Sequence, residues 1–175
     1  NPGGGTPYLY DPWGAKGQRH EIEAQHNARL AEGVRLAWGG SWREDSVSAA
    51  TTLANQGEVK REVGRVFGNL ELKPNQWLTG NLGLSWEEDS LAGSHLAPRA
   101  SLAFHLDPRN TVRVGTSRAY RTGSVVDYRG DWHNGSKYQF RGDSNMPAER
   151  MDTWEIGYIG DWRDWRMSLD VRLFD

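Results

Sequence analysis

Alternate residues of this chain are apolar, and the pattern recurs in stretch after stretch with short polar turns between. Leu78, Gly80, Leu82, Leu84 and Trp86 alternate with Trp77, Thr79, Asn81, Gly83, Ser85 and Glu87. A period of two places the two sets on opposite faces of a β-strand. Across the chain the wet faces carry full charges, and Trp residues collect near strand ends. Together these features predict a β-barrel wall in an outer membrane. A soluble antiparallel sheet also alternates, but it buries its Trp residues more often than it bands them. The length of 175 residues suits one domain or part of a larger one. The absence of Cys excludes a disulfide framework and a thiolate metal site. With 21 basic and 23 acidic residues, no basic footprint for nucleic acid exists. No apolar run approaches the ~20 residues of a membrane helix, which leaves strands as the only means of crossing a bilayer.

The periodicity predicts an all-β chain, an antiparallel hairpin-connected meander of about eight strands forming part of a large barrel. Residues 1–17 are rich in Gly and Pro and read as loop or linker; residues 18–175 read as the barrel segment. Strands are expected near 19–30, 34–43, 58–72, 77–87, 96–106, 112–121, 154–162 and 165–173. The charged run Glu58–Glu62 is too polar to meet lipid and predicts a strand that protrudes on one side. Connections after the second, fourth and sixth strands are expected to be loops, and the others short turns, the alternation of outer-membrane barrels. Trp77, Trp162 and Trp165 fall beside the short turns, whereas Trp42, Trp86 and Trp154 fall toward the loops, as two aromatic girdles would. Arg118 interrupts an outward face near its loop end. The absence of a leader at Asn1-Pro2-Gly3 and the stop at Leu173-Phe174-Asp175 lead us to expect an excerpt of a longer protein without a plug domain.

Residues 96–175 also carry a series of short motifs in order. Ala97-Pro98-Arg99-Ala100-Ser101-Leu102-Ala103-Phe104 is followed by Thr111-Val112-Arg113-Val114-Gly115-Thr116-Ser117-Arg118-Ala119-Tyr120-Arg121. After a long irregular stretch come Asn145-Met146-Pro147-Ala148-Glu149-Arg150, Trp154-Glu155-Ile156-Gly157-Tyr158 and Ser168-Leu169-Asp170-Val171-Arg172-Leu173-Phe174. The series resembles consecutive barrel strands of TonB-dependent outer-membrane receptors. Thr122-Gly123 stands where that family has Ala-Pro, and Pro147 is displaced by one position. The resemblance implies a slice of a barrel of about 22 strands in the bacterial outer membrane. It implies active uptake of a metal chelate such as an iron–siderophore, with cobalamin or a glycan as further ligands of the family. Implied partners are outer-membrane lipid, a small-molecule ligand and a TonB-type energy-coupling protein reached through the missing N-terminal part. Two other readings stay open at this point. One is a small closed eight-stranded barrel acting as anchor or adhesin, and the other is a soluble glycan-binding β-sandwich.

No catalytic constellation is apparent, so neither an enzyme nor a cofactor is expected. His20 and His26 share a strand face but lie ~20 Å apart, too far for one metal. No Ser, His and acidic group is ordered as a triad. Arg-Gly-Asp occurs at 129–131 and again at 141–143, where glycine among charged neighbours reads as a turn before it reads as an adhesion signal. The long stretch near 122–150 holds the candidate ligand residues. Tyr128, Trp132, Tyr138 and Phe140 interleave with Asp127, Arg129, Lys137 and Arg141, and Arg121 precedes them. Aromatic anchors beside Arg suit a moderately polar, anionic chelate. The competing reading is a loop that folds around its own aromatics. The inward charges Arg99, Arg113, Arg121, Glu155, Asp170 and Arg172 are expected to line a watery lumen or to face a plug.

Overall fold

The computed structural model describes residues 14–53, 56–134 and 137–175, with only the backbone of 133, 134, 137 and 138. Most of the expected linker 1–17 therefore lies outside the described residues, and the first strand already begins at Lys16. Six strands run as a meander: β1 (Lys16–Ala31), β2 (Val34–Ser48), β3 (Glu58–Asn75), β4 (Leu78–Asp89), β5 (Gly93–Asp107) and β6 (Asn110–Arg121). A helix, α1 (Val125–Arg129), and a hairpin of β7 (Asp131–Asn134) and β8 (Lys137–Arg141) occupy the long connection. Then β9 (Glu149–Trp162) and β10 (Met167–Phe174) resume the meander across a single 3-10 turn. The eight long strands form one antiparallel sheet in the order β1-β2-β3-β4-β5-β6-β9-β10.

The register carries the period-two pattern across the whole sheet. One row reads Ala28, Leu36, Leu70, Leu82, Ala100, Thr116 and Trp154 from strand to strand. The neighbouring row on the same face includes Trp38, Gly68, Leu84 and Pro98. No second sheet covers these residues among those described, so Leu82 is 53% exposed and Leu84 51%. In water such a continuous apolar face would be unstable; against acyl chains it is satisfied. From Leu78 to Trp86 the outward stretch spans about 26 Å of strand. At the usual barrel tilt, with its end side chains included, that approaches the apolar band of about 25 Å.

On the opposite face polar groups pair across strands. Arg65 meets Glu23 at 2.9 Å, Arg113 meets Glu155 at 3.1 Å, and His105 bridges Thr79 and Thr111 at 3.0 Å each. Asn69, Gly83 and Arg99 stand in one row. Arg99 lies across Gly83 and donates to Asn69 at 3.1 Å; a Cβ at position 83 would sit 2.4 Å from the Arg99 Nε. Glycine is what lets one side chain cross a whole strand there. His26 and Trp38 are cross-strand partners on the outward face and meet edge-on, centroids 6.0 Å apart, so His26 packs in an aromatic pair.

The structure corrects four expectations. The connection after β4 is only Ser90-Leu91-Ala92, as short as the turns at the other end, because β4 and β5 pair out to Asp89 and Gly93. The long connection is not irregular but holds α1 and the β7–β8 hairpin. The closed eight-stranded barrel fails because β1 and β10 sit at opposite edges and, among the described residues, pair only with β2 and β9. The β-sandwich reading fails with it, for want of a second sheet on the apolar face among the described residues.

Candidate ligand-binding site

Beyond Trp42 and Trp86 the strands β2, β3 and β4 continue as a charged extension. Register pairs Asp45 with Arg61 and Glu44 with Glu62, and ion pairs link Arg43 to Asp45 (3.1 Å) and Lys60 to Glu44 (3.2 Å). Arg61, Val63 and Asp89 point to the same face as Arg65 and Glu87, which is the wet face. The loop of α1, β7 and β8 packs onto that face. Ser124, Val125 and Val126 close one side of a cleft of about 430 Å³ whose other side includes Arg19, Asp45 and Arg61.

The loop has a core of its own. Tyr128 is 2% exposed and Val125 8%, and Leu53 (0%), Ala49 and Val63 are buried as well. The connection after β2 is thus packed into the same unit. Asp131 N donates to Thr52 O at 2.9 Å, and Gln56 Nε2 donates to Arg129 O at 3.1 Å. Each fully buried apolar side chain contributes about 1.5–3 kcal/mol, enough for a small loop core to hold a defined shape. Ser124 begins α1 with a capping box: Asp127 N donates to its Oγ at 3.3 Å, and Ser124 N donates back to the Asp127 carboxylate at 2.7 Å. Those donors at Ser124 hold the Asp127 carboxyl below the usual carboxylate range.

The two Arg-Gly-Asp tripeptides face each other. Asp131 pairs with Arg141 in the hairpin, and Gly142 N donates to Gly130 O at 2.6 Å. A Cβ at 142 would fall 2.8–2.9 Å from the backbone of Asp127, Tyr128 and Gly130. Both glycines therefore serve close backbone packing, the turn reading rather than the adhesion reading.

The candidate residues divide accordingly. Tyr128 is buried within the loop. Asp127 is spent on the helix cap. Arg121 ends β6 in an exposed ion pair with Glu149, 2.9 Å away. Arg129, Phe140 and Arg141 lie on the outside of the loop, and Trp132, cross-strand partner of Phe140, is half-buried. The side chain of Tyr138 lies outside the described residues. Below the loop the wet face holds a cleft of about 460 Å³ lined by Asn69, Asn81, Arg99, Arg113, Ser117 and Glu155 among others. No group of three or more metal-ligating side chains occurs among the described residues.

Sequence reasoning missed Arg61 and Asp89. They form an ion pair with side chains 8% and 0% exposed, 28 positions apart in the chain. Only the excess of charge in Glu58–Glu62 pointed to that region. Burial opposes ionisation of the Asp89 carboxyl, but the Arg61 guanidinium and the N–H groups of Leu91 and Ala92 outweigh it and hold the pKa below the usual range. A lowered folded pKa stabilises above the unfolded value near 3.9 and stops doing so as pH falls through the folded value. Loop packing is therefore expected to stay unchanged from pH 8 to about 5 and to loosen only below about pH 4. Hydrogen exchange of the loop amides, corrected for the intrinsic pH dependence of exchange, checks this. Asp89→Asn should abolish the step, and loosening already near pH 6 would contradict the assignment to Asp89.

The comparisons agree with this architecture. The family model described as TonB dependent receptor-like, beta-barrel, matches residues 2–175. A ferric enterobactin receptor of Pseudomonas aeruginosa is 27% identical over 189 residues, covering 88% of this chain and 25% of its own length. The siderophore receptor PirA from Pseudomonas aeruginosa superimposes with a TM-score of 0.78 at 16% identity, over 91% of this chain and 31% of that one. PirA from Acinetobacter baumannii gives 0.70 at 16% identity, over 91% and 26%. The chain thus spans about a quarter to a third of these relatives' lengths. Its broad apolar face, its wet opposite face and the match along nearly its whole length place the chain in the TonB-dependent receptor β-barrel family, a barrel wall of the bacterial outer membrane.

Proposed function

We propose that this chain is a wall segment, with an external loop, of a receptor that takes up an anionic metal chelate such as an iron–siderophore. The supporting observation is the packed loop that leans over the wet face and carries Arg129, Trp132, Phe140 and Arg141 above a polar cleft. Guanidinium groups and aromatic rings together suit a catecholate or hydroxamate shell around ferric iron. The relative named a ferric enterobactin receptor supports the same ligand class. The wet-face charges Arg99, Arg113 and Glu155 would face a plug, and a TonB-type protein of the inner membrane would supply the energy for release. The wall itself transports and performs no bond chemistry.

Titration of the intact receptor in detergent with ferric enterobactin, read by quenching of tryptophan fluorescence, tests the reading. Saturable binding is expected at micromolar concentrations or below. The double variant Arg129→Glu, Arg141→Glu should weaken it at least about tenfold, roughly 1.4 kcal/mol, by reversing charge beside an anion. Binding of cobalamin or a glycan, with no binding of the ferric chelate, would overturn the ligand class.

A further inference from the structure

Arg61 uses its whole guanidinium in one buried knot. Nε donates to both Asp89 carboxylate oxygens, at 3.1 and 3.0 Å, and Nη2 also reaches that carboxylate. Nη1 donates to Gly123 O at 2.8 Å and Nη2 to Thr122 Oγ1 at 2.6 Å. The Asp89 carboxylate accepts in turn from Leu91 N at 2.9 Å and Ala92 N at 3.3 Å. One side chain thus joins β3, the end of β4, the β4–β5 turn and the first residues of the long loop. A buried pair whose remaining donors and acceptors are all used is costly to break, since removal of either partner strands the other charge. Position 123 is the pivot of the loop. A Cβ there would press on Met146, Asp127 and Tyr128, so both ends of the loop and its core meet at this point.

We propose that Arg61 is a positioning residue, holding Thr122 and Gly123 so that the loop stands over the wet face before any ligand arrives. The proposal rests on the ligand-binding role given above for what the loop meets, but the geometry it asserts exists without ligand. Lysine supplies the charge at position 61 but not the fork that reaches three partners. Preorganisation of this kind acts on affinity through the fraction of receptors whose loop is in place.

The test uses the intact receptor with nitroxide labels at the exposed positions Glu58 and Ser144. In the parent protein one narrow distance distribution is expected. Arg61→Gln and Arg61→Lys should each widen it at least about twofold, while the barrel keeps its resistance to SDS. If an Arg61 variant docks its loop only about a tenth of the time, ferric enterobactin should bind about tenfold more weakly. A distribution that stays narrow in both variants overturns the proposal. Where neither variant assembles, hydrogen exchange on the parent protein decides. The amides of Asp131 and Asp143, which donate to Thr52 O and Asp127 O, should exchange at least about 100-fold slower than in a free chain; exchange at the free-chain rate overturns it. If the distances widen as expected but the parent binds no ferric chelate, the functional reading falls and the positioning role stands.

Discussion

Leu82→Arg is expected to destabilise the folded receptor in a bilayer by about 2–4 kcal/mol, the cost of a cation at the membrane midplane on the lipid side of a barrel. Leu82 sits halfway between Leu78 and Trp86 on the outward face, opposite Leu70 on one side and Ala100 on the other. Neither cross-strand neighbour offers the guanidinium an acidic partner. Snorkelling to either interface would have to cover about 13 Å of strand on each side. The adjacent change Asn81→Arg should cost less than about 1 kcal/mol. Its side chain would enter the wet face, where Glu71 is the cross-strand partner. Denaturant titration of both variants refolded into lipid vesicles reads the difference. Equal costs at 81 and 82 would mean that the two faces are not solvated differently.

The second large effect belongs to the loop core. Leu53→Ala should weaken packing of the loop unit by about 2–5 kcal/mol, the range for truncating a fully buried leucine. Leu53 is completely enclosed, in the connection that Thr52 O and Gln56 Nε2 tie to the loop. Tyr128→Ala should cost about 3–5 kcal/mol, as for other buried aromatics. Tyr128→Phe should cost little, because the hydroxyl accepts only a long bond, 3.4 Å, from Gly123 N. The apolar face of the barrel wall lies on the opposite side of the sheet from this unit, so SDS resistance should survive while protease nicks near residues 122–142 multiply. Loss of the barrel together with the loop would show that the two fold as one body.

Much of this architecture is legible from local pattern. All eight long strands follow from a period of two, because lipid on one side and water on the other impose opposite demands on adjacent residues. Strand ends are harder. β2 runs on to Ser48 and β3 on to Asn75, since charged residues continue the ladder past the membrane, where polarity no longer distinguishes strand from loop. The long connection hid its order for another reason. Helix α1 has five residues, too few for a helical period, and only Ser124 and Asp127 at capping-box spacing announced it. Tyr128 was legible as an aromatic among charges but not as a core residue, because nothing in its local sequence marks it as buried. Arg61 and Asp89 share that difficulty, since nothing local tells a buried pair from two solvated charges.

The central claim is that adjacent residues along each strand meet hydrocarbon and water in alternation. Nitroxide labels placed one at a time from Thr79 to Ser85 in the membrane-embedded receptor test it most directly. Collision with oxygen dissolved in the lipid should peak at Gly80, Leu82 and Leu84, and collision with a water-soluble nickel chelate at Thr79, Asn81, Gly83 and Ser85. Uniform exposure to the nickel chelate along the stretch would contradict the account.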